Sequence, residues 1–177
     1  MSNLQILLND NDIVCAIKPS GVECETKFPE LLKTQLNLEK LYCVHRLDTL
    51  TSGVMVYAKT QKSAAALSKQ ITENTFEKHY LAVVSGEITG DGTLEDELFF
   101  DRKKGKSFVS KTKKNSTKHA VLDYTGLGEN GGFSLLKIKL HTGRTHQIRV
   151  HMSKNGHPIV GDMVYGRKKE EFKTNGQ

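Results

Sequence analysis

The chain has 177 residues, of which 37% are hydrophobic and 26% charged, with a formal net charge of +6; this fits a soluble globular protein with a real core and excludes wholesale disorder. No apolar run approaches the ~20 residues that a membrane span needs. The start, MSNLQILLNDND, has neither a basic leader nor a long apolar stretch, so the expected location is the cytoplasm.

In chain order, LQILLNDNDIVCAIKPSG predicts two short strands around an Asn-Asp turn, stopped by Lys-Pro-Ser-Gly. Over 30–41, Leu31, Leu32, Leu36, Leu38 and Leu41 recur loosely at helical intervals. HRLDTLTSG at 45–53 reads most plainly as a strand entering a turn, because Asp48, Thr49, Ser52 and Gly53 bond local backbone or tolerate unusual dihedrals. The sharper alternative is a reactive carboxylate held at that turn. VMVYAK suits a buried strand, and Thr60 then caps a helix through Ala64, Ala65, Ala66, Leu67 and Ile71.

FEKHYLAVVSGEI returns to strand character, with a turn or bulge at Gly86. Residues 93–124 predict antiparallel strands that carry the lysines on a loop between them, and FSLLKIKLHTG is a further strand ending in a turn. THQIRVHMSKNG predicts a short helix, with Thr145 as its cap and Asn155-Gly156 as a left-handed stop. Strands outnumber helices without alternating with them, which implies an α+β fold: a largely antiparallel mixed sheet with flanking short helices. The expected organisation is a single domain over 1–166, with a poorly anchored tail from Arg167 to Gln177.

The positive charge is concentrated. Between Asp101 and Lys118 stand eight basic residues and one acid, a local balance of +7 against +6 for the whole chain, so the remainder nets −1. Such a patch on a nearly neutral body suits a polyanion, because each phosphate neutralised releases counterions. Taken alone, a lysine-rich stretch is more often a solvated loop.

Spacing excludes several chemistries. The odd set Cys15, Cys24 and Cys43 lacks CxxC spacing, which points to buried free thiols rather than disulfides or a zinc ribbon. Gly105-Lys106-Ser107 is not a phosphate loop, since Phe100 stands where that motif needs its first glycine. His141, His146, His151 and His157 lie close in sequence, but steps of five place neighbours about 140° apart on a helix and on opposite faces of a strand. They are expected to be structural or RNA-contacting, with no metal. No G-x-S-x-G elbow occurs.

HRLDTLTSG at 45–53, EKHYLAVVSG at 77–86 and LHTGRTHQIRVHMSKNGHPIVGD at 140–162 resemble the three signature segments of the RluA-type pseudouridine synthases. NDNDIVCAIKPSGV at 9–22 resembles the same family's N-terminal strand pair and Lys-Pro-x-Gly turn, so the landmarks reach from Leu7 to Gly166 in the expected order. The resemblance implies the pseudouridine synthase catalytic fold and isomerisation of uridine in ribosomal or transfer RNA. That reaction detaches the base, turns it and rejoins it through carbon, so it needs no cofactor, metal or redox partner.

The resemblance further implies that Asp48 is the catalytic carboxylate, as a nucleophile on ribose, a nucleophile on the base, or a base toward a ribose proton. Burial alone raises a carboxyl pKa, so Asp48 needs a cation to stay ionised. The family pattern supplies Arg149 of HQIRVH, whose planar fork stays charged when buried. Tyr80, at the aromatic position of the K-x-Y-x-A-x-V-x-G pattern, would stack on the extracted uracil or assist proton movement. Arg46 would fill the gap left by the flipped nucleotide. Arg144 and His146, at a helix start, would contact phosphate.

Many family members carry a small RNA-binding domain ahead of the catalytic one. Here Asp10–Gly21 already matches the catalytic part, so RNA affinity is expected to fall to Lys103, Lys104, Lys113 and Lys114 of the basic loop. The expected protein is a monomer off the membrane. The rival classes are a noncatalytic RNA-binding module and a metal-dependent nuclease or hydrolase. Asp48, Tyr80 and Arg149 together speak against the first, and the scattered acids and histidines against the second.

Overall fold

A computed structural model describes residues 3–166, so the expected tail from Arg167 to Gln177 lies outside the described residues. The fold is α+β, and every strand pairing is antiparallel. The strands form two sheets, one in each of two compact units that divide at Phe76/Glu77.

In the first unit, β1 (Ile6–Asn9) and β2 (Ile13–Lys18) form the expected hairpin. Asp10 closes it, its Oδ1 accepting from the N–H groups of Asp12 and Ile13 at 2.8 Å each. This pins the turn through a short side chain that mimics backbone. With β3 (Tyr42–Cys43) and β4 (Gly53–Ala58) the sheet runs β1-β2-β4-β3. On β2, Val14, Ala16 and Lys18 are buried at alternate positions, so the lysine continues the core-facing row. Met55, Val56, Tyr57 and Ala58 of β4 are buried in succession, which marks a strand covered on both faces.

Helix α1 spans Lys27–Leu36, earlier than the leucine spacing implied; Leu38 and Leu41 lie beyond it. The helix stops because Asn37 turns left-handed (φ 54°), and Leu38 N–H then bonds back to the Lys33 carbonyl at 3.0 Å. Phe28 and Leu32 are its core contacts, with the Phe28 ring 5.9 Å from that of Tyr57. Helix α2 (Gln61–Thr72) starts at Thr60 as expected, where Thr60 and Ser63 form a reciprocal capping box.

In the second unit the order is β5-β9-β8-β6-β7, from β5 (Lys78–Ser85), β6 (Asp91–Asp101), β7 (Lys106–Ser110), β8 (Lys118–Asn130) and β9 (Phe133–Leu140). One face packs Val84, Leu122, Leu136, Ile138 and Leu140 against Met152 of α3 (Gln147–Lys154). Toward β7, Leu98 and Ala120 meet Val150 and Tyr165.

Two expectations are corrected in this unit. The basic segment is not one loop: KSFVS forms strand β7 inside it, so Lys103 and Lys104 sit on the β6–β7 turn and Lys113 and Lys114 on the β7–β8 connection. Phe108 and Val109 pair with Phe99 and Leu98, and that apolar register outweighs the surrounding charge. The cap of α3 is His146, not Thr145. It adopts a left-handed conformation (φ 55°), while the Gln147 side chain satisfies nearby donors, its Oε1 accepting from Thr142 Oγ1 at 2.8 Å and Arg144 N–H at 3.0 Å. At the other end Gly156 is left-handed (φ 86°) and Asn155 is not.

Candidate active site

The turn after Leu47 is fastened carbonyl by carbonyl. The Leu47 oxygen accepts from Cys24 Sγ at 3.2 Å, and the Asp48 oxygen from Thr51 N–H at 2.9 Å. The Thr49 oxygen takes Gly21 N–H at 2.9 Å and Lys18 Nζ at 3.1 Å, and the Leu50 oxygen takes Ser20 Oγ at 2.8 Å. Each carbonyl from Leu47 to Leu50 thus has a donor, and most donors come from the 18–24 segment.

Lys18 is the centre of this arrangement. Its side chain is fully buried, and Nζ also donates to the carbonyls of Pro19 (3.0 Å) and Val22 (2.8 Å), tying its own turn to that of Asp48. Burial pulls the Lys18 pKa below its ordinary value, while Cys24, Glu23 and Asp48 act in the opposite direction. Glu23 is held down to about 2: burial pushes it up, but the bonds it accepts from the Thr26 hydroxyl and from the N–H groups of Glu25, Thr26 and Lys27 win.

Around this turn, Gly53 takes φ 148°, which favours a residue without Cβ where the turn enters β4. His45 Nε2 accepts from Val56 N–H at 3.0 Å, which makes Nε2 the unprotonated nitrogen. Asp48 is half-buried. The Arg46 side chain is 60% exposed and lies 3.9 Å from Glu25, a surface pair that leaves its guanidinium in solvent.

In the second unit, Tyr80 stands on β5 opposite Ile138, half-buried against the core. Lys78, two residues earlier and so on the same face, has its pKa lowered by burial and by the Arg144 charge. Arg144 Nε donates to the His119 carbonyl at 2.8 Å, and His146 Nδ1 lies 3.0 Å from the Tyr165 hydroxyl.

Arg149 is gripped from its own unit. Nε and Nη2 reach Asp162 Oδ2 and Oδ1 at 2.7 and 3.0 Å, and the guanidinium lies 5.0 Å from the Tyr165 ring centroid. Asp162 Oδ1 also accepts from the N–H groups of Val164 (2.9 Å) and Tyr165 (3.0 Å). Burial raises its carboxyl pKa, but these bonds outweigh that effect and leave it below the ordinary value. Sequence reasoning missed Asp162 and Tyr165, although both stand in the GDMVYG run, where an aspartate two and three residues before its N–H partners is a turn signal. It also missed Lys18, whose core parity on β2 was legible.

Three of the clustered histidines have polar neighbours in their own unit. His141 pairs with Asp123 at 2.5 Å, His157 Nδ1 sits 3.0 Å from the Ser85 carbonyl, and His151 is fully buried, 3.9 Å from Asp96. Among the described residues no helix is long and apolar enough to cross a membrane.

The sequence pattern of the RNA pseudouridylate synthase family matches residues 12–154. The chain belongs to that family. An uncharacterised RNA pseudouridine synthase of Mycoplasma pneumoniae is 37% identical over 98% of this chain and 59% of its own length. The ribosomal large subunit pseudouridine synthase D of Nitrosomonas europaea is 34% identical over 97% of this chain and 52% of its own. The tRNA pseudouridine synthase C of Pasteurella multocida is 32% identical over 92% and 74%. This chain therefore spans little more than half the length of the first two. Among solved structures, human RNA pseudouridylate synthase domain containing 1 superposes with a TM-score of 0.84 at 27% identity, over 93% of this chain and 70% of that one.

Proposed function

We propose that this chain isomerises uridine to pseudouridine in structured ribosomal or transfer RNA, with Asp48 as the carboxylate that engages the flipped nucleotide. The observation that carries this reading is the pinned turn. Catalytic groups must be held to fractions of an ångström, and a turn whose successive carbonyls all have donors supports the reading by fixing the backbone that carries Asp48. Family membership supplies the reaction class. Substrates in ribosomal or transfer RNA are in keeping with the names of the relatives.

In this proposal Arg149 pairs with Asp48 to hold it ionised, and Tyr80 stacks on the extracted uracil. The grip of Asp162 and Tyr165 on Arg149 supports the role by fixing where its guanidinium can reach. Arg46, mostly in solvent, occupies the space vacated in the RNA, and Arg144 and His146 lie toward phosphate. The enzyme works as a monomer without metal.

The test is incubation with RNA in the presence of chelator, followed by analysis for a uridine isomer of unchanged mass and chain length. Asp48→Asn should lower turnover by on the order of 10⁴-fold while leaving the fold intact. Cleaved RNA, or a metal requirement, would indicate a hydrolase. Unaltered RNA on a verified substrate would leave a binding module, and full activity in Asp48→Asn would remove the carboxylate from the chemistry. Mapping pseudouridines across total RNA with and without the protein then identifies the target site.

A further inference from the structure

The β6–β7 hairpin combines aromatic rings and ammonium groups in one place. Phe99 and Phe108 face each other across the strand pair with centroids 6.2 Å apart and planes 26° from parallel. Phe99 is 37% exposed. Lys104 Nζ and Lys106 Nζ lie 5.5 and 5.9 Å from the Phe108 centroid, and the tip adds Arg102 and Lys103 in solvent. The tip is shaped by Asp101, whose Oδ1 accepts from Lys103 N–H at 2.9 Å and Lys104 N–H at 3.1 Å, which spends the segment's one acid on backbone. β7 is an edge strand of its sheet, so the hairpin flank is open.

A cross-strand phenylalanine pair is, by itself, a common way to stabilise an edge hairpin. It does not require ammonium groups around the rings or a ring left a third in solvent. A nucleotide is a flat π surface joined to a phosphate, and this hairpin offers a flat π surface beside cations. Duplex RNA hides its base faces in the stack and would meet only the lysines, whereas an unpaired strand can use both.

We infer that the β6–β7 hairpin is a platform for single-stranded RNA, on which Phe99, backed by Phe108, stacks an unpaired base while Lys103 and Lys104 hold its phosphates; Lys106, whose Nζ donates to the Val164 carbonyl at 2.6 Å, braces the strand. This rests on the RNA-directed reading of the chain and deepens it: the substrate class is RNA with an unpaired stretch next to the target, not an uninterrupted helix.

The decisive measurement is binding of a labelled oligouridylate and of an RNA duplex of equal length, across a salt series, by the full chain and by Phe99→Leu and Phe108→Leu. Leucine keeps apolar bulk in the hairpin, and an unchanged thermal midpoint verifies the fold. Oligouridylate affinity should fall on the order of fivefold in Phe99→Leu with the salt slope unchanged, while duplex affinity stays the same. Equal affinity for oligouridylate in wild type and variants overturns the platform, as does an equal loss for duplex and single strand, or no binding of oligouridylate by the wild type. A protein that binds with the expected profile but makes no pseudouridine supports the platform and counts only against the catalytic proposal.

Discussion

The turn at 47–50, within the β3–β4 connection, and the hairpin tip at 102–105 both lie between strands, yet they are held in different ways. Donors for the turn come mostly from Lys18, Ser20, Gly21 and Cys24, more than twenty residues away in sequence. The tip is shaped by Asp101 acting on its immediate neighbours, and its cations extend into solvent. A carboxylate that must meet one atom needs a backbone fixed by distant parts of the fold. Cations that neutralise phosphates can act from flexible stems, because counterion release does not depend on one geometry. The same residue type falls on both sides of this divide, since Lys18 is a buried clamp and Lys103 and Lys104 are surface charges.

The comparison can be broken, in order of expected loss of stability, by removing its parts. Lys18→Met keeps the apolar stem but strips donors from the carbonyls of Pro19, Val22 and Thr49. The Thr49 carbonyl keeps Gly21 N–H, whereas those of Pro19 and Val22 lose this donor; at about 1–3 kcal/mol for each acceptor left unmade, a loss of about 3 kcal/mol in urea unfolding is expected, with turnover falling further than stability accounts for. An unchanged midpoint would mean that the clamp is ornamental.

Asp162→Asn extends the comparison to the grip on Arg149, where a lost charge-assisted bond costs about 1.5–3 kcal/mol. The folded-state pKa of Asp162 lies below its ordinary 3.8 because the bonds from Arg149, Tyr165 and Val164 outweigh burial. Its contribution is therefore complete above about pH 4 and is lost as pH falls through the folded-state value. The stability gap between wild type and Asp162→Asn should narrow on acidification from neutrality to pH 3 and below, and a gap of constant size would refute the assignment. Ser20→Ala removes one bond to the Leu50 carbonyl and should cost about 1 kcal/mol.

Local features were legible in the sequence: the Asp10 hairpin turn, the Thr60 cap and the β5 strand all follow from residue types acting on near neighbours. What escaped was long-range. No periodicity says that Lys18 donates to Thr49, or that Asp162 forks Arg149 from thirteen residues away. The basic segment was read by its charge, so the pairing of Phe108 with Phe99, which makes it a strand, was overlooked. The α3 start was read by side-chain capping preference, whereas a left-handed His146 and the Gln147 amide terminate the helix instead.

The smallest expected loss of stability comes from the other side of the comparison. Replacing Lys103, Lys104, Lys113 and Lys114 together with alanine should leave the unfolding midpoint within about 0.5 kcal/mol of wild type, since all are exposed and none holds a buried acceptor. RNA binding should respond strongly all the same: each phosphate contact contributes about 0.7 to the slope of log affinity against log salt for a single strand, so the slope should flatten by up to about 3. Stability and binding thus separate for these lysines, whereas for Lys18 they fall together. A quartet variant that loses cooperative unfolding would place these lysines among the parts that hold the fold, and one that binds RNA with the wild-type salt slope would reduce them to a solubilising surface.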